Sequence, residues 1–108
     1  MTLPTKQELR NETRNWLNRG VIPSVAAESR RMMARQFPRV ADVHEAYAAE
    51  WDRIAAKFPE KVKAAYQMQL DYAVACLANQ QPGSKLAQYW QDEAAKWDRA
   101  ISALTVTE

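Results

Sequence analysis

The sequence predicts an all-α fold, a compact bundle of about five helices formed by one domain of 108 residues. The composition is the first observation, because alanine is abundant, glycine occurs only twice and β-branched residues are scarce, a balance that favours helix over sheet. The second is that apolar side chains recur every three or four residues along most of the chain. The third is that prolines and glycines divide this pattern into segments of helical length.

The first helix is predicted over residues 5–19. Thr5 and Glu8 have the spacing of a capping box, in which each side chain accepts a hydrogen bond from a backbone amide at the helix start. Gly20 follows at the position where a helix commonly ends in a left-handed residue. The side chains expected on the buried face are Leu9, Thr13, Trp16 and Leu17.

The second helix is predicted over residues 24–37. Ser24 is a natural N-cap, and Pro38 is expected to stop the helix because a proline disfavours the helical conformation of the residue before it. The side chains expected on its buried face are Val25, Ser29, Met32, Met33 and Phe37.

The third helix is predicted from Asp42 to Phe58, and its apolar stripe is the clearest in the chain. The Phe58–Pro59 step is expected to end it, although a proline-kinked continuation into the next helix is the alternative. The stripe consists of Val43, Tyr47, Trp51, Ile54 and Phe58.

The fourth helix, predicted over residues 59–79, carries two apolar faces. A helix that is apolar on two sides is expected to pack on both. We therefore interpret it as the central helix of the bundle or as one side of a homodimer interface. The first face consists of Val62, Tyr66, Leu70, Ala73 and Leu77, and the second of Ala65, Met68, Tyr72 and Ala75.

The fifth helix is predicted to follow a turn at residues 79–83, with Ser84 as its N-cap. Its apolar residues alternate at steps of four and three, a seam that is typical of a bundle helix. These residues are Leu86, Trp90, Ala94, Trp97, Ile101 and Leu104.

The charge of the chain is unevenly distributed, although the net charge is only +2. Residues 1–40 form a basic helical part with eight basic and three acidic side chains, and they hold seven of the nine arginines. Residues 41–108 form an acidic helical part with seven basic and ten acidic side chains. This asymmetry indicates that the first part contacts an acidic partner or a nucleic acid.

The basic side chains of the first part are the predicted binding site. They recur at four-residue steps on the first two helices, and arginine suits bidentate contacts with phosphate or carboxylate. Two neighbouring helices could present them as one surface, which is a frequent footprint of nucleic-acid binding. The alternative is a solvated face with internal pairs such as Glu28 with Arg31. The predicted site residues are Lys6, Arg10, Arg14, Arg30, Arg31, Arg35 and Arg39.

The residues that usually carry catalysis are few. His44 is the only histidine and Cys76 the only cysteine, so we expect no catalytic residue, no metal site and no cofactor. Asp71 lies among apolar residues of the fourth helix and is the one carboxylate that could be partly desolvated. It is more simply interpreted as part of a polar strip with Gln67 that faces the solvent.

These observations predict a small, cytoplasmic, non-enzymatic factor that acts by occupying a macromolecular surface, with no membrane partner. By analogy, such a domain suits a bacterial or phage accessory protein, either an inhibitor of host defence machinery or a small subunit of a nucleoprotein complex. The first alternative is direct binding of DNA or RNA by the arginine-rich helices of residues 1–40. The second is a helical ligand-binding or enzymatic bundle around Asp71. Partners could be a protein complex, a nucleic acid or a second copy of the chain.

Overall fold

The prediction of an all-α fold is confirmed. A computed structural model of the chain describes residues 3–106, and within these residues it contains α-helices and one short 3-10 helix, with no strand. The 3-10 helix spans Pro38–Val40. The five α-helices are α1 (Lys6–Asn18), α2 (Pro23–Gln36), α3 (Ala41–Lys57), α4 (Pro59–Ala78) and α5 (Lys85–Val106). None of these described helices combines the length and the apolarity needed to cross a membrane.

The contacts of the chain group into two compact units, one ending at Val62 and the other beginning at Lys63. This boundary differs from the division at residue 40 that the charge distribution indicates. The first unit includes α3 and the first turn of α4 as well as α1 and α2. Basic side chains of residues 41–62 therefore belong to the same unit as the arginine-rich helices.

Both predicted ends of α1 are confirmed. The Thr5 hydroxyl accepts a hydrogen bond from the Glu8 amide at 3.1 Å, and the Glu8 carboxylate accepts one from the Thr5 amide at 3.3 Å. Gly20 has a φ of 91°, the left-handed conformation that favours glycine. Leu17 is buried as predicted, whereas Trp16 on the same helix remains 45% exposed.

The start of α2, marked by its N-cap, lies two residues before the predicted start. Pro23 is the first helical residue, and Ile22 occupies the N-cap position that was predicted for Ser24. A proline is well suited to this place because its fixed φ is already helical and its missing amide would have no helical partner. The predicted end is confirmed, since Phe37 leaves the helical conformation directly before Pro38.

The predicted buried face of α2 is wrong. Val25 and Met32 are exposed, whereas Ala27 and Ala34 are buried. The physical reason is the close packing of α2 along α3, where Ala48 is also buried. Small side chains at these positions let the two helix backbones approach closely, and larger apolar residues would hold them apart. The larger apolar side chains of α2 consequently face outward.

The prediction for α3 is confirmed in its core and at its end. Trp51 and Ile54 are buried and form the apolar centre of the first unit with Leu17 of α1. Phe58 has φ −127° and ψ 64°, which lies outside the helical region, so α3 ends and α4 begins anew at Pro59. The alternative of a continuous kinked helix is therefore excluded.

In the second unit, α4 and α5 pack antiparallel. Tyr66 of α4 contacts Trp97 of α5 with ring centres 5.6 Å apart, and Tyr72 contacts Trp90 at 5.5 Å. The order of these contacts runs in opposite directions along the two helices. Ser84 caps α5 as predicted, because its hydroxyl accepts a hydrogen bond from the Ala87 amide at 3.0 Å.

Burial along α4 lies on one side of the helix, whereas a central fourth helix was expected to pack on two. Val62, Ala65 and Ala73 are buried and lie on one side of the helix. Met68 is exposed, and Tyr72 is 61% exposed although its ring edge meets Trp90. Of the predicted second face, Met68, Tyr72 and Ala75 are thus exposed in the described structure, whereas Ala65 is buried with the first face.

Candidate functional site

The seven predicted site residues are distributed over three elements. Three lie on α1, three on α2, and Arg39 lies in the 3-10 helix. Arg10 and Arg14 line one cavity of the first unit, whereas Arg31 and Arg35 line a different one. The arginine pair of α1 and the arginine pair of α2 thus line separate cavities.

Arg30 is used inside the first unit. Its guanidinium forms an ion pair with Glu12 of α1 at 3.1 Å and donates a hydrogen bond to Nδ1 of His44 in α3, also at 3.1 Å. It also lies 4.2 Å from the ring centre of Tyr47. Arg30 thus connects three helices, and its charge is occupied by these contacts.

Tyr47 belongs to the same network. A hydrogen bond from its hydroxyl to Glu12, together with partial burial, raises the pKa of Tyr47 to about 12. The phenol is therefore a donor to the Glu12 carboxylate, which Arg30 also binds. This network positions α1 against α2 and α3, and His44 lies half-buried beside it.

The other arginines of α2 also have acidic partners. Arg31 forms an ion pair with Asp52 of α3, which replaces the predicted pair with Glu28. Glu28 instead meets Arg35 at 3.5 Å, with both side chains largely exposed. Paired arginines are weak ligands for an external anion unless the anion displaces their partners. Lys6 and Arg39 are exposed to solvent.

The structure assembles a different basic surface. A cavity of about 220 Å³ lies among α1, α3 and the first turn of α4, and we call it the basic groove. As far as the structure describes its lining, five residues carry a positive charge and one carries a negative charge. The lining residues are Arg10, Thr13, Arg14, Leu17, Glu50, Arg53, Ile54, Lys57, Phe58 and Lys61.

The single carboxylate of the basic groove is already bound. Glu50 is buried, and its two oxygens accept hydrogen bonds from Nε and Nη2 of Arg53 at 2.6–3.1 Å. This bidentate pair fixes the guanidinium at the wall of the cavity. Hydrogen bonding to Glu50 also raises the pKa of Arg53 above its ordinary value.

Four cations of the basic groove remain uncompensated. Arg10, Arg14, Lys57 and Lys61 form no ion pair with any acidic side chain in the part of the chain that the structure describes. They come from three helices and surround one cavity. Four like charges at one place repel one another and attract anions, particularly above an apolar floor.

The break between α3 and α4 gives the basic groove an aromatic component. Phe58 leaves the helix before Pro59, and its ring lines the cavity. Nζ of Lys61 lies 4.9 Å from the ring centre, and the guanidinium carbon of Arg53 lies 5.8 Å from it. The ring face therefore helps to hold two of the cations. Leu17 and Ile54 are buried at the apolar base of the cavity.

Sequence reasoning found only the α1 half of this site. Arg53, Lys57 and Lys61 recur at four-residue steps, which is the spacing of Lys6, Arg10 and Arg14. The signal was visible, but the Phe58–Pro59 step interrupts it and the surrounding residues are acidic on balance.

The chemistry that the described side chains support is binding of an anion. No group of three His, Cys, Asp or Glu side chains in the described ranges could hold a metal ion. Asp71 is exposed and accepts a hydrogen bond from Gln67 at 2.9 Å, in agreement with the polar strip that the sequence indicates.

Comparisons with family models, with curated proteins and with solved structures give no match, so the function of this chain is argued from the basic groove itself.

Proposed function

We propose that the protein is a non-enzymatic binding factor and that its basic groove binds the phosphates of a nucleic-acid backbone. The observation that carries this proposal is the charge of the groove, in which five cations face a single carboxylate that Arg53 already binds. Cation clusters of this kind supply most of the affinity of proteins for nucleic acids. The proposal moves the contact surface from residues 1–40 to α1 together with the α3–α4 junction.

A polymer suits the site better than one isolated phosphate. Lys6 extends the line of Arg10 and Arg14 by one turn of α1, and all three side chains are exposed. Eight residues of helix span about 12 Å, which exceeds the size of a single phosphate group. Both arginine and lysine are present, and together they provide bidentate contacts and mobile point charges. The same groove would serve a protein that binds nucleic acid alone or as a small subunit of a nucleoprotein complex.

Fluorescence anisotropy with labelled oligonucleotides tests the proposal. We expect wild-type protein to bind a single-stranded and a duplex probe at low salt, with affinity that falls steeply as salt rises. Two double variants, Arg10→Glu with Arg14→Glu and Lys57→Glu with Lys61→Glu, should each weaken binding at least tenfold. Each lost phosphate contact should also reduce the salt slope by about one unit on duplex DNA.

The matched control is Lys85→Glu with Arg99→Glu. It changes the net charge by the same amount at exposed positions of α5 that do not line the groove. We expect it to alter affinity by less than threefold, because neither residue lines the groove. Equal losses of affinity in the control and groove variants would show that binding depends only on the net charge of the protein. Absence of binding by the wild type at low salt would contradict the proposal directly.

A further inference from the structure

Large apolar side chains are exposed on the side of α2 that faces away from α3 in the first unit. Val25 is 60% exposed, Met32 49% and Met33 37%. Together with Ser29 they form what we call the α2 outer face. Large apolar side chains exposed in one continuous area mark an interaction surface more often than a solvated one.

The shape of this face suits a second helix. Ser29 lies between Val25 and Met32 on the same side of α2, and its small side chain permits close approach of a helix backbone. A hollow of about 370 Å³ runs beside Val25, Glu28, Ser29 and Met32. A second of about 270 Å³ runs between α1 and α2 and shares Val25 and Ser29 with it. Both hollows could accept side chains of a partner helix.

The charges beside this face identify the partner. Glu28 and Arg35 lie two turns apart on the same flank of α2, beside the α2 outer face. This flank therefore carries a negative charge toward one end and a positive charge toward the other. If a second α2 packs antiparallel about a two-fold axis, Glu28 of each copy faces Arg35 of the other. The midpoint of these two positions lies beside Met32, which would meet its own counterpart at the axis.

The existing contact between these two residues is easily exchanged. Within one chain the Glu28 and Arg35 side chains are 3.5 Å apart and about two-thirds exposed. An exposed pair of this kind contributes little to stability, so replacing it with two pairs between copies costs little.

We propose that the α2 outer face binds a second copy of the chain and forms a symmetric dimer with antiparallel α2 helices. A two-fold interface requires a self-complementary surface, and a face with opposite charges at equal distances from an apolar centre fulfils that requirement. A partner helix with charges of only one sign would attract one of Glu28 and Arg35 and repel the other. No lining residue of the basic groove belongs to α2, so the dimer is independent of the proposed function and would carry two grooves.

The dimer should be weak. A helix of 14 residues is about 21 Å long, and two such helices crossing bury less than the roughly 800 Å² per partner of a standard interface. A dissociation constant on the order of 10–100 μM is therefore expected.

Analytical ultracentrifugation of the full chain tests this proposal between about 1 μM and 1 mM, a range that brackets the expected dissociation constant. We expect wild-type protein to shift from monomer to dimer with concentration. Met32→Glu, which places two like charges at the axis, should raise the dissociation constant at least tenfold. Val74→Glu makes the same kind of change at an exposed apolar position of α4 and should leave the dissociation constant unchanged. Circular dichroism should show that both variants retain their helix content.

A charge exchange makes the test specific to the antiparallel arrangement. Glu28→Arg and Arg35→Glu should each weaken the dimer because they place like charges opposite each other. The double variant restores opposite signs and should dimerise within threefold of the wild type. A monomer at all concentrations, unchanged dimerisation of Met32→Glu, or failure of the double variant to recover would overturn the proposal.

Discussion

One substitution at Glu50 separates the contribution of the basic groove to folding from its proposed binding of anions. The buried Glu50 carboxylate holds Arg53 in place, yet it is also the only negative charge that lines the described groove. Glu50→Gln keeps the size of the side chain and removes the charge. We expect the variant to be less stable than the wild type and to bind an anionic probe more tightly.

The loss of stability follows from the ion pair. Breaking a fully buried pair by removing one partner costs about 3–5 kcal/mol. The Arg53 side chain is 34% exposed, so water can solvate the released guanidinium in part. The amide of glutamine can still accept one hydrogen bond. A decrease of about 1–3 kcal/mol in the free energy of unfolding is therefore expected.

The gain in affinity follows from Coulomb's law. At an effective dielectric constant of 20–80, one unit charge several ångströms from a phosphate contributes about 0.5–1 kcal/mol after screening. Removing the Glu50 charge should thus strengthen binding of an oligonucleotide by about two- to fivefold, because 1.4 kcal/mol corresponds to a factor of ten.

Two measurements check this prediction. Urea unfolding followed by circular dichroism gives the free energy of unfolding, and anisotropy at fixed salt gives the dissociation constant. Glu45→Gln is the matched control, since Glu45 is an exposed carboxylate on the same helix and lies outside the groove. It should change neither quantity appreciably. A folded Glu50→Gln protein that binds the probe more weakly than the wild type would refute the electrostatic reasoning.

Two further predictions test the interior of the first unit. The hydrogen bond to Glu12 raises the pKa of Tyr47 to about 12, so its stabilising contribution should be complete below pH 10 and disappear as the pH rises from 10 to 12. Absorbance titration should show a phenol ionisation centred near pH 12 that Tyr47→Phe removes. If the ionisation that this substitution removes is instead centred near pH 10, the hydrogen bond to Glu12 is contradicted. Ala27→Leu should destabilise by about 1–3 kcal/mol through overpacking against α3, whereas Val25→Leu on the exposed side should not; equal urea midpoints would show that α2 is turned the other way.

The helix boundaries could be predicted from sequence because local chemistry decides them. The capping box of Thr5 and Glu8, the left-handed Gly20 and the Phe58–Pro59 step act within a few residues of chain. Their outcome does not depend on what the helices later contact.

The orientation of α2 could not be predicted in this way because it depends on packing. Periodicity ranks faces by hydrophobicity, and Val25 and Met32 are more hydrophobic than Ala27 and Ala34. The fold buries the alanines because α2 lies close against α3, and that distance is a property of two helices together. An apolar side that the core does not use then remains available for another chain.

The basic groove could not be predicted for a related reason. Sequence spacing identifies lines of charge, but it does not show which cations acidic partners neutralise. Arg30, Arg31 and Arg35 formed the denser cluster in the sequence, and each has an acidic partner in the structure. Charge density along the chain therefore does not show which charges remain unneutralised in space.

The unneutralised charge of the groove also has an energetic consequence. Arg10, Arg14, Lys57 and Lys61 repel one another around one cavity, and this repulsion lowers the stability of the unit that holds them. The fold neutralises the arginines of α2 with nearby carboxylates, so acidic side chains are readily accommodated on these helices. Placing one more carboxylate beside the four cations would relieve their repulsion without disturbing the core. In the proposed complex, a phosphate backbone would supply that missing negative charge and would stabilise the folded state by an amount that rises with the logarithm of ligand concentration. The destabilisation by the cluster in the free protein would thus be offset in the complex, as expected where composition serves function rather than stability.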